Sequence, residues 1–507
     1  MFYQEKRDGY ARIGRIDGRK TPTMLEIPHD ELVKNIDFGV APYAAKFFVD
    51  VSEELLPKGE IAVLSGLTSL HPRQIVRAFE EVRGRVVYCP AAATPANAAL
   101  LIYLGADILD NLLAVAKAYQ GVFFAGDLEV AVSEAEGLCS CRHCEELSRE
   151  NVARHNTEVL RQEVEKCRLL IAREELRNYV EAKVKLNPEL TAVLRILDAE
   201  GSVEHFPRFR RSRCNFSALE SANRFEVRYF LNRVAEVYEP KTRTLLLLPC
   251  TARKPYLLSK THRTIRSRVN VAVNEIIISS PLVVPREFEL VYPACNYDTP
   301  VTGYWSEEEI SFVAYWLRRL VEKGDFEKIV AHVEGGYKKV VEAALKDFDV
   351  VFTVEDSITS SSSLDNLRRE LEDEGYDFRR EIFPSVSRYQ FGVELGGSVR
   401  GRYPELELWS DERVARIEVG YGRLDVYGEA VDKLIREKVY CVRIDDFEPK
   451  GTIFAAGVVE ADERIRPNDV VVFYSNELRG VGVALMSGRE MVESEKGAAV
   501  KVKRVLR

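Results

Sequence analysis

Apolar positions follow different rhythms in successive parts of this chain. Up to about residue 135, short unbroken apolar runs alternate with helical patterns. EIAVLSGL (Glu60 to Leu67), GRVVYCPA (Gly84 to Ala91) and GVFFAGD (Gly121 to Asp127) read as strands, while PRQIVRAFEEV is apolar at helical spacing. NAALLIYLGADILDNLLAVAKAY predicts helix, turn and helix, broken near Gly105. Ser148 to Lys185 is charged and helical, with Val159, Val164 and Leu170 among its apolar positions, and suits a long packing or dimerisation helix. A second α/β pattern follows an Arg-rich segment. TLLLL (Thr244 to Leu248), EIIIS (Glu275 to Ser279), FELVYP (Phe288 to Pro293), KIVAHV (Lys328 to Val333) and DVVFTV (Asp349 to Val354) read as strands. The helix between the later ones opens on Ser306 and Glu309 as a capping box, and Ser360 to Ser363 marks a loop before a charged helix. Unbroken apolar strands with helices between them predict a mostly parallel sheet buried on both faces. After Arg436 only short strands remain, with a turn at Arg466-Pro467-Asn468-Asp469, which predicts a small all-β barrel.

Length divides this pattern into domains: 507 residues exceed one hydrophobic core. The expected boundaries are 1–200, 201–375, 376–436 and 437–507. At 46% hydrophobic and 30% charged, the composition excludes a fibrous or wholly disordered chain. The start MFYQEKRDGY is charged and no run of about 18 uncharged apolar residues occurs, so no signal peptide, no membrane span and a cytoplasmic location are expected. A net charge of −8 excludes an indiscriminate nucleic-acid coat. Local basic patches remain: Arg208, Arg210 and Arg211 in PRFRRSR, and Cys250 to Asn270, each either an RNA contact or a solvated face.

Three of the nine cysteines, Cys139, Cys141 and Cys144, stand at Cys-x-Cys-x2-Cys spacing, with His155 following in a helical stretch. Three thiolates and an imidazole complete a tetrahedral zinc site with no open position, so the predicted role is structural. His143 and Cys167 are rivals to His155 as fourth ligand. Cys-x-Cys-x2-Cys followed by His-Asn resembles the zinc motif of tRNA-guanine transglycosylases, and GADILDN (Gly105 to Asn111) resembles the segment carrying their nucleophilic aspartate, which falls on Asp110. The substrate loops of that family are absent and too few residues precede the cysteines for its complete barrel. The resemblance therefore implies a truncated transglycosylase-like barrel, with Asp110 either a remnant substrate-binding acid or an acid on a helix surface.

A second constellation starts where TLLLL ends: Pro249-Cys250-Thr251-Ala252-Arg253-Lys254-Pro255-Tyr256-Leu257-Leu258-Ser259-Lys260-Thr261-His262. Ligands of open α/β sheets bind at such carboxyl edges. With Pro255 in a first helical turn, Tyr256, Ser259 and His262 are predicted on one helical face. Lys254 and a helix amino end would favour the Cys250 thiolate, and His262 would move protons. A buried cysteine beside a surface basic helix is the plain alternative.

The pattern Pro-Cys-x3-Lys-Pro-Tyr-x2-Ser-x2-His resembles the signature of the archaeosine synthases, archaeal transglycosylase paralogues. SSPLVVPREFE (Ser279 to Glu289) and YPACNYDTPVTGYW (Tyr292 to Trp305) resemble the strand-end loops beside it. GTIFAAGVVEADERIRPNDVVVF and GVGVALMSGREM resemble a PUA domain, and SRYQFG (Ser387 to Gly392) the linker domain before it. The implied fold class is a multidomain α/β protein: truncated barrel with zinc module, α/β/α sandwich, small α+β linker and PUA barrel. The implied reaction is addition of an amine, L-lysine or another donor, to the nitrile of 7-cyano-7-deazaguanine at position 15 of tRNA. Cys250, Lys254, Tyr256, Ser259 and His262 would be catalytic, and Asp110, Ser279, Ser280 and Asp298 would contact substrate. Arg208, Arg210 and Arg211, with Lys501, Lys503 and Arg504 on the final strand, would contact RNA. A radical S-adenosylmethionine partner subunit and a homodimer are further implications; base exchange through Asp110 and non-catalytic tRNA binding are the alternative functions.

Overall fold

The computed structural model describes residues 2–28, 56–57 and 60–506. Two compact units result: residues 1–206 with 452–458 and 485–501, and residues 207–451 with 459–484 and 502–507.

In the first unit, β1 (Phe2–Asp8), β2 (Ala11–Ile16) and β3 (Arg19–Thr21) form an antiparallel meander. A parallel four-stranded sheet is built from β4 (Thr23–Leu25), β5 (Ile61–Val63), β6 (Val86–Tyr88) and β7 (Ile108–Asp110), in the order β4-β7-β6-β5. Among the described residues this is an arc rather than a closed barrel. The segment around Gly105 departs from the expected helix, turn and helix. Ala98–Leu104 and Leu112–Tyr119 are helices, but Ile108–Asp110 between them is a buried strand. Three residues buried on both faces carry no periodicity, so the strand is invisible to pattern reading. Ser148 caps a helix over Arg149–Arg173, and Leu176–Lys183 is a separate helix.

The second unit is centred on a five-stranded sheet of β8 (Thr244–Pro249), β9 (Asn274–Ile278), β10 (Val283–Pro285), β11 (Lys328–Ala331) and β12 (Val350–Phe352). Their order is β10-β9-β8-β11-β12, parallel except for β10. Leu245, Leu246, Leu247 and Leu248 of β8 are all at most 1% exposed. Each such leucine contributes about 1.5–3 kcal/mol of burial free energy, which makes β8 a rigid platform for whatever follows it. Helices Lys260–Arg268 and Ser361–Glu370 pack Ile265, Leu364 and Leu367 against Leu246 and Leu248. Ser306 and Glu309 form the expected capping box of helix Glu307–Val321. The predicted strand FELVYP is instead a helical turn, Arg286–Phe288, with loops beyond it. Arg286, Glu287 and Glu289 are all buried there, and the charged pairs of Arg286 with Glu275 and Glu289 fold this segment inward. The edge strand comes from the preceding Val283–Pro285.

Helix Phe378–Phe391, a four-stranded antiparallel sheet over residues 398–426 and helix Gly428–Glu437 follow. In the C-terminal segment, Cys441–Ile444 runs parallel to Val470–Tyr474, which pairs antiparallel with Arg479–Ala484. Within the first unit Thr452–Phe454 pairs antiparallel with Ala498–Lys501. Among the described residues no helix is long and apolar enough to cross a membrane.

Candidate functional site

In the first unit Cys139, Cys141, Cys144 and His155 place one ligand atom each within 4.8 Å of all the others. A turn from the Cys141 carbonyl to the Cys144 N–H, 2.9 Å, folds the loop so that their sulfurs lie 3.5 Å apart. The capped helix delivers His155 from its second turn, with Nδ1 3.6 Å from Cys141 Sγ and 3.4 Å from Cys144 Sγ. Its Nε2 lies 2.9 Å from the Phe124 carbonyl and its ring stacks on Phe123 at 4.0 Å. Donation from Nε2–H to that carbonyl leaves the Nδ1 lone pair for a metal, the usual outer support of a metal-binding histidine. Four soft and borderline donors at tetrahedral spacing fit a closed metal site. Cys167 is buried elsewhere on the same helix, and His143 lies against Arg142 outside the cluster.

Asp110 is no helix-surface acid. It ends β7 fully buried, where its carboxylate accepts from Tyr88 Oη at 2.6 Å, from the Ala91 N–H at 3.1 Å and from the Leu112 N–H at 3.0 Å. Ala91 holds a left-handed backbone (φ 48°), which turns its N–H toward the carboxylate. Burial outweighs these donors and pushes the Asp110 pKa up to about 6. The carboxylate is thus sealed from solvent and accepts from three donors.

The second unit holds the other constellation. Cys250 directly follows β8, its N–H donating to Ile278 of β9 at 2.9 Å, so the half-buried thiol stands at the carboxyl edge of two parallel strands. Its Sγ is 3.2 Å from the Tyr337 hydroxyl. Tyr337 opens the helix Gly335–Ala344, and Trp305 packs edge-on against it at 5.0 Å. Gly336 permits that approach, since a Cβ there would lie 2.2 Å from the indole. Burial and the neighbouring Cys250 raise the Tyr337 pKa, which keeps the phenol protonated as a donor toward sulfur. Lys254 lies 3.9 Å from the centroid of the Tyr297 ring, and its partial burial lowers its pKa. The Tyr297 hydroxyl contacts Ser279 and lies 2.7 Å from the Tyr256 hydroxyl, while its ring rests on Phe216 at 5.2 Å. Phe216 in turn walls a cavity of about 500 Å³ shared with Ser280, Pro281, Thr299 and Phe312. That volume matches a small-molecule or nucleobase site.

The expected helical face carrying Tyr256, Ser259 and His262 does not exist. Tyr256–Leu258 is a short helical turn, and the helix begins only at Lys260, with the Ser259 hydroxyl capping it through the His262 N–H at 3.2 Å. Ser259 is the cap of that helix, which begins ten residues after Cys250. His262 is 1% exposed, with Nε2 3.0 Å from the Pro249 carbonyl and Nδ1 2.8 Å from Arg286. Burial and the Arg286 charge lower its pKa well below the usual value. With Nε2 on the Pro249 carbonyl and Nδ1 on Arg286, the imidazole holds the backbone before Cys250 in place. Arg286, fully buried, pairs with Glu275 at 2.6 Å and Glu289 at 2.8 Å. Of the remaining expected substrate contacts, Ser280 Oγ donates to Glu309 at 3.0 Å and exposed Asp298 pairs with Arg213 at 3.2 Å.

The expected RNA cations also need correction. Arg208 and Arg210 are buried, paired with Asp469 and with Glu226, and serve packing. Arg211 stays exposed, its guanidinium 4.7 Å from the Tyr421 ring centroid. Lys503 pairs with Glu418, Arg504 with Asp425 at 2.6 Å, and of that strand's three cations Lys501 alone is fully exposed. Tyr337, Trp305, Tyr297, Phe216 and Arg286 went unassigned as site residues. The Gly335-Gly336 pair at a strand-to-helix junction is the signal that flags Tyr337.

An α/β core that presents a thiol at its sheet edge is followed along the chain by short β-strands. Family models divide the same stretch of chain. Residues 227–371 match a domain of unknown function (DUF5591), residues 376–435 a pre-PUA domain and residues 448–506 a PUA domain. The chain is 36% identical over 500 residues to archaeosine synthase subunit alpha of Methanosarcina acetivorans, covering 88% of this chain and 80% of that protein. It is 37% identical over 442 residues to archaeosine synthase of Haloferax volcanii, covering 82% and 75%. A solved structure, AF0587, a protein of unknown function, is 53% identical and covers 55% of this chain and all of its own, with a TM-score of 0.51. This chain belongs to the archaeosine synthase family.

Proposed function

We propose that this chain adds an amine, L-lysine or a related donor, to the nitrile of 7-cyano-7-deazaguanine at position 15 of tRNA, with Cys250 as nucleophile. The observation that carries the reading is the Cys250 thiol at the sheet's carboxyl edge, 3.2 Å from the Tyr337 hydroxyl, in the unit that also holds a cavity of nucleobase size. In this reaction the Cys250 thiolate bonds to the nitrile carbon, and the nitrogen takes a proton to give a thioimidate. The amine then bonds to the same carbon, the C–S bond breaks, and the amidine-type adduct leaves with the thiolate restored. Tyr337 and Lys254 are the proton donors and acceptors within reach, and the lowered Lys254 pKa suits that exchange. His262, Arg286 and Ser259 position the Cys250 loop. Tyr256, Ser279 and Tyr297 fix the wall on which Lys254 lies.

Zinc is the proposed occupant of the Cys139, Cys141, Cys144 and His155 cluster, with a structural role, since thiolate and imidazole donors in a closed tetrahedron suit it best. The PUA match and the tRNA-modifying relatives support tRNA as partner. Relatives called subunit alpha support a further subunit, for which a radical S-adenosylmethionine protein is the proposed candidate, and the helix Arg149–Arg173 is the proposed dimer element.

The test is nucleoside mass spectrometry of tRNA bearing the cyano base after incubation with protein and lysine. A product heavier by one lysine, absent with Cys250→Ala, is expected. A cyano nucleoside left unchanged by the wild-type protein would overturn the reading.

A further inference from the structure

The thiol site leaves a second concavity of the same unit unexplained, a groove of about 960 Å³. One wall is the outer face of helix Lys260–Arg268, where Arg263, Arg266 and Ser267 share a side. The opposite wall is the start of helix Phe378–Phe391, with Arg379 and Arg380, and the first strand of the antiparallel sheet, with Arg402. Five guanidiniums thus face one carboxylate, Asp377, which already accepts from the Arg379 N–H at 3.1 Å. Arg266 is paired with Glu275, and among the described residues no carboxylate lies within ion-pair distance of Arg263, Arg379, Arg380 or Arg402. Burial and the charge of Arg286 push the Arg266 pKa down to about 9.

Like charges gathered in a concavity repel one another and lack the acids that elsewhere on this chain accompany arginine; such a field is complementary to an anion. Five cations from three separate elements around one groove suit several phosphates rather than one. We propose that this groove binds the sugar-phosphate backbone of the tRNA substrate, an inference that rests on the reading of tRNA as substrate above. Its floor connects to the reaction site. Tyr403 Oη and the Leu257 N–H, both at the groove, donate to Glu289 at 2.5 and 3.3 Å; Glu289 holds Arg286, which holds His262 against the Pro249 carbonyl beside Cys250. A strand seated in the groove therefore rests on the same scaffold that fixes the nucleophile's loop.

The test is the affinity of in vitro transcribed tRNA across a salt series for the triple variant Arg379→Gln, Arg380→Gln, Arg402→Gln. All three side chains are exposed, so the fold is retained. The expected result is binding weaker by about tenfold or more and a log-affinity against log-salt slope reduced by about two to three. A control variant, Lys339→Gln with Lys346→Gln, removes exposed cations elsewhere in the unit and should bind as wild type. Unchanged affinity and slope in the triple variant, or an equal loss in the control, would overturn the proposal. Wild-type protein that binds tRNA with the expected groove dependence yet leaves the cyano base unconverted would sink the amine-addition reading and leave the groove standing.

Discussion

Asp110 and Cys250 occupy equivalent places in two different sheets, one at the end of β7 in the first unit and one just after β8 in the second. Their surroundings differ in the way that decides chemistry. The carboxylate is sealed, with its lone pairs taken by a phenol and two backbone N–H groups; the thiol is half-open and faces one phenol. A strand end is only an opportunity for a site. It becomes one when the neighbouring loops leave the reactive atom access and unspent bonding capacity, which the second unit does and the first does not. On the proposed reading the first unit is a scaffold, and the reaction belongs to the second.

That contrast can be tested from both sides. The largest effect should come from the proposed zinc site: chelation at neutral pH, or Cys144→Ser, should abolish cooperative folding of the first unit, because binding energy at structural zinc sites is about 10 kcal/mol or more. Calorimetry that finds the unfolding transition unmoved would break the scaffold assignment. Next, Cys250→Ser should lower turnover by about 10³-fold or more, while Asp110→Asn keeps it within about twofold. Comparable losses in both variants would erase the distinction between the two sheet ends.

A pH effect on stability comes third. The folded Asp110 pKa, about 6, lies above its unfolded value, so the folded state binds the proton more tightly. Stability from this group is therefore full below about pH 4 and is lost as pH rises through about 6, by about 3 kcal/mol in all. Subtracting the denaturation curve of Asp110→Asn from that of wild type should isolate this slope; a flat difference would mean the carboxylate is less sealed than its contacts indicate. The smallest effect, about tenfold to a hundredfold in turnover, is expected for Tyr337→Phe, which keeps the packing against Trp305 and removes the donor to sulfur. Normal turnover would leave Lys254 as the proton donor.

Some of this molecule was written locally. The cysteine spacing, the Ser148 cap and the helix carrying His155 lie within a short stretch, so chain geometry alone brings three thiolates and an imidazole together. The apolar runs of the second sheet and the capping box at Ser306 are equally local, because burial on both faces and helix-end hydrogen bonding depend on adjacent residues. The strand at Ile108–Asp110 was too short to show a period, and Arg286 to Glu289 mimicked a strand while folding its charges inward.

The reaction site obeyed a different rule. Tyr256, Ser259 and His262 were legible as a spaced motif, but their roles were not, since a residue's chemistry depends on what stands opposite it. His262 is neutral because Arg286, from beyond the next strand, is buried against it; Ser259 is a cap because the helix begins one residue later. Likewise Arg208 and Arg210 look like RNA cations until Asp469 and Glu226 are found folded onto them. The sequence by itself determined the cluster of Cys139, Cys141, Cys144 and His155, the strand that presents Cys250 and the order of domains, because those depend on neighbours along the chain. Only the tertiary structure decided which thiol, acid and cations are free to act, because solvent access and charge pairing are set by segments far apart in sequence.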